Sequence, residues 1–180
     1  MRWLFLSLLL ALSPVRAQEY DVLVYGATPG GIAAALAAAE DGERVLLVEP
    51  TAHVGGMMTN GLTHPDFRTF EGLTGAFLKF TQRVEAHYRE TYGADSPQVK
   101  DSLRGTQVEP KVNLAIFEQM LAAQPGITVQ REWVLDRVKS SSDSDGDAPG
   151  RVRAVELALF ADPTNTMHQV GARVFIDGTY

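Results

Sequence analysis

The chain has 180 residues, no cysteine and a formal net charge of −6, from 16 lysine and arginine residues against 22 aspartate and glutamate residues. The lack of cysteine excludes a disulfide framework, a thiolate metal site and a cysteine nucleophile. The negative balance argues against nucleic acid or an anionic membrane surface as a partner, because lysine and arginine bind phosphate groups. The length suits one domain with a real core.

Residues 1–17 are predicted to be an export signal outside the fold. Arg2 gives a positive start, residues 4–12 are apolar, and residues 15–17 (Val-Arg-Ala) place small side chains at −3 and −1 of a cleavage site. Nine apolar residues are too few to cross a bilayer, which takes about 20. A buried N-terminal helix is the alternative. We expect a mature chain, residues 18–180, that is periplasmic or secreted and has no membrane contact after cleavage.

Residues 20–49 have the parts of a dinucleotide-binding βαβ unit in the required order. These are an apolar run at 22–25, a glycine-rich turn at 26–31, an alanine-rich helical segment at 32–41, and an apolar run at 45–48 that ends in Glu49. In such a unit, the N–H groups and the dipole of the helix N-terminus favour a pyrophosphate. Glu49 follows Gly26 by 23 positions, where a carboxylate accepts hydrogen bonds from an adenosine ribose.

The turn departs from the pattern G-x-G-x-x-G at one position. Thr28 stands where the second glycine is expected, and Gly30 is an additional glycine. Gly26 is expected to allow the sharp turn, and Gly31 the close approach of helix to strand. The surrounding strand, helix and acid are the context that the motif requires. An α/β crossover without a ligand is the alternative.

A loop rich in glycine and small or polar residues follows at 50–61. Its adjacent Gly55 and Gly56 would let the backbone come close to a phosphate or a bulky planar group. Taken alone, this segment is explained equally well as a flexible surface loop. Its position directly after the βαβ unit favours the cofactor interpretation.

These segments together (DVLVYGATPGGIAAALAAAEDGERVLLVEP, then HVGGMMTNGL) resemble the FAD-dependent oxidoreductases of the glutathione-reductase-like superfamily. More narrowly, they are similar to an exported bacterial group, some of whose members are labelled xanthan lyase. The resemblance continues at Glu109-Pro110-Lys111-Val112 and at the last six residues, FIDGTY. Histidine is expected at the position of Lys111, so no role is assigned there.

The resemblance implies FAD as cofactor and an α/β fold: a Rossmann-like parallel sheet with a small antiparallel β layer. It implies that Glu49 holds the ribose, that Gly55, Gly56 and Met57 lie along the flavin, and that the Val134 backbone contacts the adenine. Asp177 is a candidate cofactor contact, with a turn aspartate at a strand end as the alternative. The cofactor-binding residues expected are Gly26, Ala27, Thr28, Pro29, Gly30, Gly31, Glu49, Pro50, Gly55, Gly56, Met57, Val134 and Asp177.

Beyond the loop, helical spacing predicts two amphipathic helices. The first has a buried stripe made by Leu73, Phe77, Phe80, Val84 and Tyr88. The second runs over 112–124, ends at Pro125-Gly126, and leads to a strand at 127–130. The polar segment 64–71 precedes them; His64, Asp66 and Arg68 in it can meet a substrate, and a solvated loop is the favoured alternative. Residues 93–105 are interpreted as a polar connection.

Residues 139–150 are predicted to be an exposed hairpin tip, rich in serine, aspartate, glycine and proline. Calcium at Asp143, Asp145 and Asp147 is disfavoured, because alanine occupies the glycine and glutamate positions of the EF-hand pattern. We therefore expect no metal site. The flanking runs at 151–160 and 169–176 are interpreted as strands.

The sequence thus predicts the FAD-binding portion of an exported oxidoreductase, with a substrate domain in a part of the protein beyond this chain. Its substrate is expected to be a small molecule, and its catalytic residues are not identified. The alternatives are an NAD(P)-dependent dehydrogenase built on the same βαβ unit, and a truncated fragment that binds cofactor without turnover.

Overall fold

A computed structural model describes residues 19–141 and 150–180. Its strands are β1 (Glu19–Tyr25), β2 (Val45–Glu49), β3 (Ile127–Arg131), β4 (Trp133–Ser140), β5 (Val152–Leu159) and β6 (Asp162–Asp177). Its α-helices are α1 (Pro29–Glu40), α2 (Gly75–Tyr92), α3 (Pro97–Asp101) and α4 (Pro110–Ala122). Two short 3-10 helices lie between β2 and α2, at Gly56–Thr59 and Phe70–Gly72. The fold is the predicted α/β class.

The six strands form one mixed sheet in the order β3-β2-β1-β6-β5-β4. Strands β3, β2, β1 and β6 run parallel, whereas β5 and β4 are antiparallel to their neighbours. Because the carboxyl ends of parallel strands meet at one edge, Tyr25, Glu49 and Asp177 all lead into the same region. This confirms the predicted parallel sheet with a small antiparallel layer.

The two faces of the parallel sheet bury different side chains. Val22, Val24, Val45 and Leu47 face the helices. The intervening Leu23, Leu46 and Val48 pack instead with Trp133, Val155 and Leu157 from the antiparallel strands. All five residues of β2 are buried, as expected for a strand covered on both faces. The continuous apolar runs of the sequence therefore reflect burial on two sides.

Helix α1 packs closely against the sheet because two of the four residues that it buries are small. The four are Gly31, Ile32, Ala35 and Leu36. A Cβ on Gly31 would lie 1.9 Å from the carbonyl oxygen of Gly26, far inside contact distance. Only glycine allows this approach, as the sequence predicted for position 31.

The predicted helical stripes are mostly confirmed. Phe80, Val84 and Tyr88 of α2 are buried, as are Val112, Ile116, Phe117, Met120 and Leu121 of α4. The stacked rings of Phe80 and Phe117 join the two helices, with centroids 4.6 Å apart. Leu73 is an exception: it lies before α2 and is only partly buried.

Two elements differ from the sequence-based interpretation. The connection at 93–105 contains α3, whose N-terminus is capped by Ser96 through its hydroxyl, which accepts from the Val99 N–H at 3.3 Å. Strand β4 was not predicted, because six of its eight residues are exposed and its apolar residues do not alternate with polar ones. The expected export signal and the three aspartates considered for calcium lie outside the described residues. Most of the expected hairpin tip does too.

Within the part of the chain that the structure describes, no helix has the length and apolar character needed to span a membrane.

Candidate cofactor-binding site

A groove of about 360 Å³ opens at the carboxyl edge of the parallel strands. Three segments line it: the glycine-rich turn, the loop after β2 and the last residues of the chain. Its lining residues are Gly26, Thr28, Glu49, Pro50, Thr51, His53, Gly56, Met57, Asn60, Thr179 and Tyr180. Six of these residues belong to the predicted cofactor-binding set: Gly26, Thr28, Glu49, Pro50, Gly56 and Met57.

Glu49 is buried at the bottom of the groove, only 7% exposed. One carboxylate oxygen accepts the N–H of Ala27 at 2.9 Å, and the other accepts the N–H and hydroxyl of Thr51 at 2.9 and 2.8 Å. Each carboxylate oxygen has two lone pairs. The side chain therefore braces the glycine-rich turn and keeps acceptor capacity for a ligand hydroxyl.

The structure explains why position 28 does not need glycine. Thr28 has φ −68° and ψ 170°, an extended conformation open to any residue. Its hydroxyl caps α1 by accepting the Gly31 N–H at 3.2 Å, and it donates to the Gly178 carbonyl at 2.6 Å. Threonine thus fixes the helix N-terminus where the usual motif has a bare backbone.

Gly30 differs from its neighbours in having no structural need for glycine. It is exposed in the first turn of α1, and its Cβ would have only the Thr28 hydroxyl within 4 Å, at 3.7 Å. An N–H in the first helical turn has no partner within the helix. The N–H of Gly30 is therefore presented to solvent or to an anion, beside Pro29 at the start of the helix.

Gly26 and Gly178 pack directly against each other. Gly26 has φ +95°, and a Cβ on it would lie 2.9 Å from the Gly178 carbonyl carbon. The N–H of Gly178 donates to the Tyr25 carbonyl at 2.7 Å. The end of β6 is therefore held against the glycine-rich turn by backbone contacts and by the Thr28 hydroxyl.

The loop after β2 is tied to the same turn. The N–H of Gly55 donates to the Ala27 carbonyl at 2.6 Å. Gly55 has φ +97°, and a Cβ there would lie 2.8 Å from the Phe117 ring. The Met57 N–H donates to the Tyr180 hydroxyl at 2.6 Å. Gly56 and Met57 therefore line one wall of the groove, and the buried Gly55 precedes them in the chain. That this wall lies along the flavin remains a prediction.

Two predicted contacts lie elsewhere. Asp177 is exposed and accepts the N–H and hydroxyl of Thr179 at 2.9 and 2.6 Å, which lowers the pKa of its carboxyl group. This geometry is that of a turn aspartate shaping the loop. Val134 lies on β4 opposite Ala158 and is not among the residues that line the groove. Both remain predictions as cofactor contacts.

Several groove residues were not singled out from the sequence. Thr51, His53, Asn60, Thr179 and Tyr180 line the groove, and Gly178 packs against its floor. For the last segment, the family resemblance at FIDGTY indicated this region but assigned a contact only to Asp177. His64 lines a different groove together with Phe67 and Phe70. Neither Asp66 nor Arg68 lines that second groove.

A parallel sheet, a glycine-rich turn into α1 and a buried acid after β2 define a dinucleotide-binding protein of Rossmann type. Residues 21–180 match the sequence model of the FAD dependent oxidoreductase family, so the chain belongs to that family. FAD is the cofactor of this family, and the residues present fit it. Exposed Gly30 leaves room for close approach, and Glu49 remains available to a sugar hydroxyl.

Two characterised relatives share part of the sequence. Soluble pyridine nucleotide transhydrogenase from Mycobacterium tuberculosis (strain ATCC 25177 / H37Ra) is 40% identical over 86 residues, 48% of this chain and 17% of the relative. The tRNA uridine 5-carboxymethylaminomethyl modification enzyme MnmG from Treponema denticola is 27% identical over 137 residues, 73% of this chain and 22% of the relative. The chain therefore spans a small part of either relative.

Solved structures share the fold at low sequence identity. THI4 from Thermovibrio ammonificans superposes with a TM-score of 0.56 at 17% identity, over 89% of this chain and 57% of that one. Glycerol-3-phosphate dehydrogenase from Bacillus halodurans, solved with FAD, gives a TM-score of 0.53 at 15% identity, over 89% and 34%. These two matches show that the fold is shared.

Proposed function

We propose that this chain is the FAD-binding portion of an oxidoreductase that transfers a hydride or electrons between a small organic substrate and the flavin. The observation that carries the proposal is the convergence of three separate segments on one groove around the buried carboxylate of Glu49. Flavin supplies the redox chemistry once bound. The residues of this chain bind the cofactor, orient it and exclude water.

The groove geometry supports the following assignment of parts. The N-terminus of α1, with its exposed Gly30, takes the pyrophosphate, since its N–H groups and dipole favour negative charge. Glu49 takes the ribose hydroxyls from the opposite side. The wall formed by Gly55, Gly56 and Met57 lies along the flavin, and the residues that act on substrate belong to the rest of the protein.

The first test is the colour of the intact gene product. It should purify with the visible absorption of bound flavin, and the chromophore released on denaturation should be FAD. An NAD(P)-dependent dehydrogenase is the second candidate, since one relative is named for pyridine nucleotides. A colourless protein that releases or binds NAD(P) and does not bind added FAD would favour that candidate.

A further part of the proposal concerns location and family. We infer that the protein is exported and belongs to the glutathione-reductase-like superfamily, within the exported group that includes xanthan-lyase-labelled members. The support is the charged start, apolar run and small-residue cleavage pattern of residues 1–17. Mass spectrometry of the extracytoplasmic protein should find an N-terminus at Gln18. An intact Met1 on a cytoplasmic protein would contradict it.

A further inference from the structure

Asn113 is a buried polar residue in the helical side of the core. It lies on α4, is 1% exposed, and is flanked on its helix by the buried Val112 and Ile116. Its Nδ2 donates to the Met58 carbonyl at 2.7 Å, across 55 residues of sequence. Its Oδ1 accepts no hydrogen bond from the residues that the structure describes.

This half-satisfied amide is unfavourable for a residue with a purely structural role. A buried acceptor without a donor destabilises the folded state, whereas leucine, whose side chain branches at the same carbon, carries no polar atom. The amide orientation is also fixed by chemistry, because the Met58 carbonyl can only accept. What asparagine adds at this position is therefore one directed hydrogen bond to the Met58 carbonyl.

That hydrogen bond sets the position of one groove wall. Met58 is the buried centre of the 3-10 helix Gly56–Thr59. The residue before it, Met57, is 55% exposed and lines the groove. The loop is attached at its start by the hydrogen bond from Gly55 to Ala27. Asn113 attaches it to α4 one residue beyond Met57, so the wall is fixed on both sides.

We propose that Asn113 is a positioning residue for the loop Gly55–Thr59, which contains the groove wall. Its hydrogen bond keeps this loop at the distance from the glycine-rich turn that bound flavin requires. It touches neither the groove nor the cofactor, and it acts through Met58. This inference rests on the proposed function, since it assigns the flavin to that wall. Losing the hydrogen bond lets the backbone of Met57 move relative to Glu49 and the helix N-terminus.

The test compares Asn113→Leu and Asn113→Ser with Thr81→Val in the intact protein. Thr81 is 0% exposed, lies on α2 of the same core, and donates only to the nearby Leu78 carbonyl. FAD affinity is measured by titration of the apoprotein, the visible flavin band by absorption, and the thermal midpoint by circular dichroism. The serine side chain is polar and small, but it is too short to reach Met58. The serine variant therefore still tests the hydrogen bond if the leucine variant fails to fold.

Both Asn113 variants should bind FAD roughly tenfold more weakly, which corresponds to about 1.4 kcal/mol, and should shift the flavin absorption band. Thr81→Val should leave both unchanged. Asn113 variants with the wild-type affinity and spectrum, whatever their thermal midpoint, would overturn the inference while leaving the proposed function intact. A wild-type protein that does not bind FAD would instead remove the proposed function itself.

Discussion

Strand β6 belongs to two parts of the sheet, and only one of them leads to the groove. Its second half pairs in parallel with β1 and ends beside the glycine-rich turn. Its first half pairs antiparallel with β5, in a layer with exposed apolar residues such as Val138 and ion pairs such as Lys139–Glu156, in which the glutamate is largely buried. The parallel end is held by backbone contacts at Gly26 and Gly178 and by the Thr28 hydroxyl, whereas the antiparallel layer is held by strand pairing and side-chain packing.

This contrast indicates where substitutions should matter. At the parallel end, the proposed cofactor binding depends on backbone N–H groups, on the absence of Cβ atoms and on one carboxylate. In the antiparallel layer, exposed side chains tolerate change within about ±0.5 kcal/mol. The predictions below separate loss of fold from loss of cofactor binding at the parallel end, where both depend on glycines one residue apart.

The largest effect is expected at Gly31. Gly31→Ala places a methyl group 1.9 Å from the Gly26 carbonyl oxygen, so helix and strand must separate. We expect destabilisation of about 3 kcal/mol or more, measured by chemical denaturation of the apoprotein. Loss of cofactor from this variant follows from loss of fold and is not evidence for a binding role. An apoprotein as stable as wild type would show that the helix does not pack this closely.

Gly30→Ala is the matched variant that tests binding without breaking the fold. Its methyl group meets only the Thr28 hydroxyl, at 3.7 Å, and alanine favours a helix over glycine by roughly 0.5–1 kcal/mol. The apoprotein should be as stable as wild type or slightly more so. FAD binding should nevertheless weaken by about tenfold, because the methyl group occupies the approach of the pyrophosphate. Unchanged affinity in a titration would place the pyrophosphate elsewhere.

The smallest effect is expected at the opposite end of β1. Asp21 accepts hydrogen bonds from the Arg44 side chain and backbone, which lower the pKa of its carboxyl group from 3.8 to about 2. Because the folded-state pKa is depressed, the stabilisation is present above pH 3.8 and is lost as the pH falls towards 2. Asp21→Asn should flatten the pH dependence of stability in that window and leave FAD affinity unchanged. Salt should weaken the wild-type effect, since the pair is exposed.

The sequence predicted the parts of the fold that repeat a pattern. The apolar runs of β1 and β2, the stripes of α2 and α4, and the glycine at position 31 follow from burial and close packing. Helix α3 was not predicted, because five residues are too few to show a helical period; its local signals are the Ser96 cap and Pro97 at the first helical position. Strand β4 owes its conformation to pairing with β5, a long-range contact that exposed, polar residues do not encode.

The residues of the candidate site could be predicted to a similar extent. The motif predicted Gly26 and Glu49, both of which line the groove, because each stands at a strand end or a turn with a defined backbone need. The meaning of Thr28 was not predictable, since its hydroxyl caps a helix and contacts Gly178, 150 residues away. The hydrogen bond between Asn113 and Met58 was equally hidden, because it joins a helix to a loop with no sequence pattern in common.

The central claim is that FAD is held in the groove around Glu49, and two glutamate variants of the intact protein test it most directly. Glu49→Ala removes the groove carboxylate, whereas Glu156→Ala removes a largely buried carboxylate of the antiparallel layer that pairs with Lys139. In FAD titrations, wild type and Glu156→Ala should bind alike, and Glu49→Ala should bind about 100-fold more weakly, because a charge-assisted hydrogen bond to the ribose and the brace on the Ala27 N–H are both lost. Equal FAD affinity in all three proteins would contradict the account.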